Sequence, residues 1–180
     1  QVKPKDAVAT PMVSAKQSST VALKADGTVW TWGYNVAGQL GNNSTADSLI
    51  PVQVLGGATG NQYLTNVVQV AAGGTFDGGN RYYALALREN GTVWAWGYNA
   101  HGELGIGTAG GDHDHPEQVL RKENQSDPDS NNVPLTNIVK IAVGAYHNLA
   151  LTADGQVYAW GWGIYGSLGD GDTSDHSSTV

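Results

Sequence analysis

The sequence predicts an all-β fold made of β-propeller blades, each a four-stranded antiparallel sheet. The first observation is a motif that begins at residues 26, 90 and 154, a constant step of 64 residues. It reads DGTVWTWGYNVAGQLG at 26–41, NGTVWAWGYNAHGELG at 90–105 and DGQVYAWGWGIYGSLG at 154–169. The second is 25 glycines in 180 residues without a three-residue period, which indicates many tight turns rather than collagen. The chain is therefore predicted to be one propeller segment, residues 1–180, of three repeats.

Each repeat contains four short extended runs in the same order. The opening strand is VVQVAAG at 67–73, and its counterpart in the first repeat, PMVSAK at 11–16, is degenerate. An ALAL-type strand and a TVWAWG-type strand follow, and a fourth run comes after a polar loop, PVQVL at 51–55 and PEQVL at 116–120. Four strands per repeat is typical of a propeller blade. Three blades leave two open edges, so we expect an incomplete ring unless the chain is extended or oligomerises.

The third strand shows how each predicted sheet is packed. Val29 and Thr31 point to one face while Trp30 and Trp32 point to the other, because side chains alternate along a strand. Large apolar side chains on both sides predict a sheet enclosed between neighbouring sheets. The dipeptide Asp26-Gly27, with its counterparts in the other repeats, predicts a type I′ hairpin turn before this strand.

Composition and charge exclude several function classes. Cysteine is absent, which excludes disulfides, a thiolate nucleophile and Cys-ligated metals. Residues 1–90 carry six basic and five acidic side chains, whereas residues 91–180 carry three and eleven, an acidic surface that disfavours nucleic acid as a partner. No apolar run is long enough for a membrane helix, and no signal peptide is recognisable, so a secreted chain would already have lost it. We expect an extracellular or cell-surface location.

Two Gly-x-Gly-x-x-Gly patterns lack the helix that a dinucleotide site needs, so no cofactor is expected. Metal binding rests on weak candidates. Four potential ligands, Asp112, His113, Asp114 and His115, occupy a predicted loop shortly after His101 and Glu103, where zinc or nickel would fit. The alternative is a solvated polar loop, and no metal is predicted. Two further stretches space oxygen side chains as calcium loops do, without the EF-hand glycine and glutamate: Asp127, Asp129 and Asn131, and Asp170, Asp172 and Ser174.

The block GTVWAWGxNxxGxLG, preceded by the ALAL strand and the VxxVAAG strand, resembles the regulator of chromosome condensation repeat family, whose members form β-propellers. The Trp-rich sequence of these repeats is similar to that of bacterial or extracellular members of the family, among them a propeller-type β-lactamase inhibitory protein. The third block departs from the pattern, with Gly163 in place of Asn and Tyr158 in place of Trp. The resemblance implies a non-enzymatic module that binds a macromolecule, a protein first of all, through its loop rim. Plugging an enzyme's active site is one form of this function.

The candidate partner-binding residues lie in the loops after the third strands and in an insertion at 75–81. Aromatic side chains and arginine are the residue types that dominate protein interfaces. The alternative is that they pack against neighbouring blades or belong to a tolerated surface insertion. The candidates are Tyr34, Phe76, Arg81, Tyr98, His101, Trp162 and Tyr165.

Two other functions stay open at this stage. One is a secreted structural subunit that assembles head to tail into layers or fibres, because residues 176–180 align with 48–52 and residues 1–2 with 53–54. The same alignment is expected if the chain is a piece of a longer propeller. The other function is carbohydrate binding by exposed aromatic rings.

Overall fold

The computed structural model describes residues 9–16, 18–57, 62–75, 81–123 and 131–180. Over these ranges the regular secondary structure is β-strand apart from one short 3-10 turn, and the predicted all-β class with propeller-type sheets is confirmed. Blade 1 has the strand order β1-β2-β3-β4 and blade 2 the order β5-β6-β7-β8, with antiparallel pairing throughout. The strands are β1 (Met12–Lys16), β2 (Ser19–Leu23), β3 (Val29–Gly33), β4 (Ser48–Gln53), β5 (Val67–Thr75), β6 (Arg81–Arg88), β7 (Val93–Gly97) and β8 (His113–Gln118).

Blade 3 consists of β11 (Ile138–Val143), β12 (His147–Thr152) and β13 (Val157–Gly161). A fourth segment lies along β13. Gly161 exchanges backbone hydrogen bonds with His176, and Ala159 exchanges them with Val180. The predicted alignment of 176–180 with β4 therefore holds in the hydrogen bonding, while residues 1–2 lie outside the described residues.

A short hairpin between blades 2 and 3 was not anticipated from the sequence. It pairs β9 (Leu120–Lys122) with β10 (Asn132–Pro134), and residues 124–130 between them lie outside the described residues. The last element is a 3-10 turn over Ile164–Gly166. No helix in the described ranges is both long and apolar enough to cross a bilayer.

The hairpin turn between the second and third strands differs from the prediction. Gly27 has φ +77° and its amide donates to the carbonyl of Lys24, but Asp26 is not among the residues with positive φ. A type I′ turn needs positive φ at both central residues, so this turn is a type I turn closed by a glycine bulge. The Asp26 carboxylate accepts hydrogen bonds from the amide and hydroxyl of Thr28, which fixes the turn.

The first strands of the three blades lie side by side. The side-chain amide of Gln69 on β5 donates to the carbonyl oxygen of Ile141 on β11 at 2.7 Å and accepts from its amide at 3.0 Å. On the other side, Ser14 on β1 accepts a hydrogen bond from the amide of Ala72 at 3.1 Å. These contacts join neighbouring blades at their inner edges.

The blades also pack face to face through equivalent apolar triplets, one for each repeat. The first two triplets are buried, each under the blade that follows, and burial of such side chains contributes about 1.5–3 kcal/mol each. In blade 3 the same positions are open, with Leu149 36% exposed and Val157 60% exposed. We call this surface the open face of blade 3. The triplets are Val21, Leu23 and Val29, then Leu85, Leu87 and Val93, then Leu149, Leu151 and Val157.

Candidate functional site

Three long loops lie at one end of the blades and form the surface that we call the loop rim, residues 34–47, 98–112 and 162–175. They follow β3, β7 and β13, which all run towards this end. The connection between blades 1 and 2, which includes Tyr63, lies at the opposite end, where Val67 bonds to the carbonyl of Gly27 in the hairpin turn. A side chain can therefore be assigned to one end of the blades or the other from the strand directions.

The first two rim loops are organised around a buried asparagine. The side-chain oxygen of Asn35 accepts a hydrogen bond from the amide of Leu40, and Asn99 accepts one from Leu104 in the same way. Their amide groups donate to carbonyl oxygens of the same loops. Both asparagines are fully buried, so these hydrogen bonds are protected from water. In the third loop Gly163 stands at this position and supplies no such cap.

The third loop folds differently and exposes a tyrosine. Tyr165 lies within the 3-10 turn with φ +62° and is 92% exposed. An aromatic residue in this backbone conformation is uncommon and costs on the order of 1–3 kcal/mol. A shallow groove beside it is lined mostly by small residues, among them Gly169, Gly171 and Thr173, together with the acidic Asp172. The loop thus presents a large apolar ring to solvent next to a concave strip of small residues.

The first two rim loops each receive a tryptophan from the next blade. The indole Nε1 of Trp96 donates to the carbonyl oxygen of Gln39 at 2.9 Å, and Trp160 donates to that of Glu103 at 3.0 Å. Gly41 lies directly over the indole of Trp96, where an added Cβ would come within 2.9 Å of the ring. The Leu-Gly pairs that end the first two repeat blocks are therefore part of inter-blade sockets.

Two of the predicted partner-binding residues contact each other across a blade boundary. The rings of His101 and Trp162 stack with centroids 4.8 Å apart, and Tyr146 meets Trp162 edge-on at 4.7 Å. His101 Nδ1 lies 2.9 Å from a carboxylate oxygen of Asp175. The stack is half-buried and joins blades 2 and 3 while its outer edges line the rim. Sequence reasoning missed Tyr146, which lies between strands and outside the repeated block.

The remaining candidates are spread along the rim. The guanidinium of Arg81 lies over the ring of Tyr98, 5.7 Å from its centroid, in a cation–π contact. Tyr34 is half-buried in the first loop. Phe76 lies outside the described residues. Of the predicted residues that the structure describes, His101 is brought together with Trp162 and Arg81 with Tyr98, and Tyr165 is the most exposed.

A buried acid lies beneath the aromatic stack. The side chain of Glu103 is 0% exposed, and one of its oxygens accepts a hydrogen bond from the amide of His101 at 2.8 Å. Burial raises the pKa of Glu103 from 4.5 to about 7, against the lowering effect of the hydrogen bonds and of His101. The nearby Asp175 raises the pKa further. Gln39 occupies the equivalent position in the first loop.

The prediction that Asp112–His115 form a loop is wrong, because most of this segment is β-strand. His113 begins β8, and alternation along the strand brings His113 and His115 together with Glu117, with donor atoms of all three within 4.8 Å. Asp112 and Asp114 do not belong to this cluster. The segment lacks β-branched residues, so pairing with β7 decides its conformation. The sequence signal for this cluster was the alternating spacing H-x-H-x-E, which places all three side chains on one face of a strand.

A second cluster unites Asp170 and Asp172 with His176, a residue that the predicted calcium-type set of Asp170, Asp172 and Ser174 did not include. His176 Nε2 lies 2.8 Å from Asp170 Oδ2. The amide of Ser174 donates to Asp172, which with smaller contributions from His176 lowers the pKa of that carboxyl. Of the other calcium candidates, Asp127 and Asp129 lie outside the described residues.

Sheet order and loop rim together define a propeller repeat protein whose blades are joined by tryptophan sockets. The profile described as the regulator of chromosome condensation (RCC1) repeat matches residues 26–76 and 90–151, and a second profile of the same description matches 67–103 and 138–167. The chain belongs to the RCC1 repeat family, as its repeat block indicated.

Relatives with curated names cover nearly all of this chain. It is 34% identical over 164 residues to the E3 ubiquitin-protein ligase HERC2 of Homo sapiens, covering 91% of this chain and 3% of that protein. It is 30% identical over 166 residues to the ultraviolet-B receptor UVR8 of Arabidopsis thaliana, covering 91% and 32%. The chain thus spans a third or less of these relatives. Among solved structures, human WBSCR16 is similar with a TM-score of 0.48 and 21% identity, over 94% of this chain and 52% of the other.

Proposed function

We propose that this chain is a non-enzymatic propeller module that binds another protein through its loop rim, with Tyr165 at the centre of the contact. The observation that carries the proposal is the 92% exposure of this ring at positive φ, beside a groove of small residues. Exposed tyrosine in a strained loop is a costly arrangement, and a partner that buries the ring would recover apolar burial. RCC1-repeat propellers commonly bind proteins, which supports the same function.

The neighbouring rim groups fit this function. Arg81 with Tyr98, and His101 with Trp162, supply arginine and aromatic surface whose side chains are already held by ring contacts. Pre-ordered side chains lose less entropy when a partner arrives. The buried acid with a raised pKa, Glu103, is 0% exposed and so does not reach a substrate. The burial of Glu103 therefore agrees better with a binding role for the rim than with acid–base catalysis.

The experiment compares two tyrosines at opposite ends of the blades. Wild type, Tyr165→Ala and Tyr63→Ala are immobilised as baits, the captured proteins are identified by mass spectrometry, and their dissociation constants are measured. Tyr63 is 52% exposed and lies away from the rim, so it is the matched control. We expect a protein held by wild type and Tyr63→Ala, and about tenfold or more weaker binding to Tyr165→Ala. Equal affinity for all three baits would contradict the proposal, as would capture of no protein that distinguishes wild type from Tyr165→Ala.

Head-to-tail assembly of like subunits is the second candidate, and the open face of blade 3 favours it. Leu149, Leu151 and Val157 repeat the triplets that take up the next blade within this chain. On blade 1, Trp32 is half-buried on the face that points away from blade 2 and stands where Trp96 and Trp160 stand in the following blades. A second copy would bring its blade 1 against the open face and its Trp32 towards the third rim loop.

A further inference from the structure

The outer strand of blade 2 carries three potential metal ligands on one face. His113, His115 and Glu117 alternate along β8, and their donor atoms lie within 4.8 Å of one another. Tetrahedral zinc with bonds near 2.0–2.1 Å needs donors about 3.4 Å apart, so small side-chain rotations close the set. Glu117 Oε1 is already 2.8 Å from His113 Nδ1 and 3.5 Å from His115 Nε2. The three groups thus converge on one point.

A fourth side chain holds the ring of one histidine in place. His115 Nδ1 lies 2.8 Å from Oδ1 of Asp114. When Nδ1 donates to this carboxylate, Nε2 is the nitrogen left to bind a metal. It faces Glu117 Oε1 at 3.5 Å. A carboxylate that holds the second nitrogen of a ligating histidine is the usual support of such sites.

Blade 1 shows that this strand forms without the three ligands. In blade 1 the strand position opposite Gly33 is Ser48, as His113 is opposite Gly97 in blade 2. In this register His113, His115 and Glu117 correspond to Ser48, Ile50 and Val52, none of which ionises. The fold therefore forms the same strand with apolar or neutral side chains. The ionisable triad is particular to blade 2.

We propose that β8 holds one divalent transition-metal ion of the Zn²⁺ class through His113, His115 and Glu117, with Asp114 as the orienting residue. Two imidazoles and one carboxylate are a donor set that zinc, nickel and copper prefer over calcium or magnesium. Three protein ligands leave a fourth position for water or for a group from a partner. The acidic surroundings, with Asp112 and Asp114 adjacent, favour cation approach.

The test is calorimetric titration of tag-free protein with ZnCl₂, followed by Co²⁺ absorption spectroscopy, which reports coordination geometry directly. Wild type is expected to bind one ion with a Co²⁺ spectrum of tetrahedral or five-coordinate type, and zinc is expected to raise the melting temperature. His113→Ala and His115→Ala should each weaken binding by about tenfold or more. Asp114→Asn should weaken it by about 10–100-fold while the Co²⁺ spectrum stays of the same type.

The control is His176→Ala, which removes a histidine from the second cluster and should leave zinc affinity unchanged. Circular dichroism in EDTA verifies that each variant is folded as wild type is. Loss of binding in His176→Ala would assign the ion to the Asp170 cluster and overturn the proposal. Unchanged affinity in His113→Ala and His115→Ala would also overturn it, as would absence of saturable binding to wild type at millimolar zinc.

Discussion

The indole Nε1 of Trp96 in blade 2 donates a 2.9 Å hydrogen bond to the carbonyl oxygen of Gln39 in the first rim loop. Trp160 and Glu103 repeat this relationship one blade later. Trp96 and Trp160 thus each contribute a hydrogen bond to the loop of the preceding blade. Stacking of blades and shaping of the rim are carried out by the same residues.

The first prediction concerns this hydrogen bond. Trp96→Phe keeps an aromatic ring but removes the donor and leaves a buried carbonyl with one bond fewer, so the free energy of unfolding should fall by about 1–3 kcal/mol. Trp32→Phe is the matched control, because Trp32 is half-buried on the outer face of blade 1 and should lose less than about 1 kcal/mol. Chemical denaturation measures both. Equal losses would mean that the socket adds nothing beyond ring packing.

The second prediction concerns the pH dependence of stability. The pKa of Glu103 is about 7 in the folded chain against 4.5 when exposed, so folding favours its protonated form. Its stabilising contribution is present below pH 4.5 and is lost as pH rises through 7, by about 3 kcal/mol at most. Glu103→Gln should therefore be more stable than wild type at pH 8 and should lose less stability between pH 5 and 8.

Blade 1 offers the reciprocal control for this prediction. Gln39 occupies the same position in its loop and is 3% exposed. Gln39→Glu should add a fall in stability between pH 5 and 8 of similar size to the one that Glu103→Gln removes. Thermal melts across this pH range give both slopes. If stability fell equally with pH in wild type and in Glu103→Gln, the raised pKa of Glu103 would be contradicted.

The third prediction separates the second candidate function from the first. If copies assemble head to tail, Leu149→Asp disrupts the contact at the open face of blade 3, and Trp32→Ala disrupts it at the outer face of blade 1. Each variant alone should be monomeric in light scattering across a dilution series, since both surfaces are needed for growth. An equimolar mixture should form a 1:1 dimer and nothing larger, because one intact pair of faces remains. Assembly that persists in either single variant would exclude this contact.

Much of the fold could be predicted because the repeat carries it three times. Alternation at Val29, Trp30, Thr31 and Trp32 predicted a sheet enclosed on both faces. In blade 1 Val29 and Thr31 are buried, whereas Trp30 and Trp32 on the other face are half-buried. The first residues of β8 were predicted to be a loop because they are polar, whereas their strand conformation depends on backbone pairing with β7. The turn at Asp26 was predicted to be type I′ because an Asp-Gly pair fits both this turn and a type I turn with a glycine bulge. The hydrogen bond from the amide of Gly27 to the carbonyl of Lys24 decides for the second.

The candidate site was less predictable than the fold. Tyr165 lies in a loop where Gly163 replaces the asparagine that caps the other two loops. The sequence shows this substitution but not the path that the loop takes. The stack of His101 on Trp162 joins residues from different repeats, which spacing along the chain does not reveal. The buried state of Glu103 likewise depends on packing beneath the rim, although its equivalence to Gln39 was readable.

The most direct test of rim binding is hydrogen–deuterium exchange of this chain with and without its captured protein partner. Binding through the rim predicts slower exchange in residues 162–175 and 98–112, with unchanged exchange in the hairpin turn at 24–28 at the opposite end. Protection confined to 24–28 or to the open face of blade 3, with the rim loops unaffected, would contradict it.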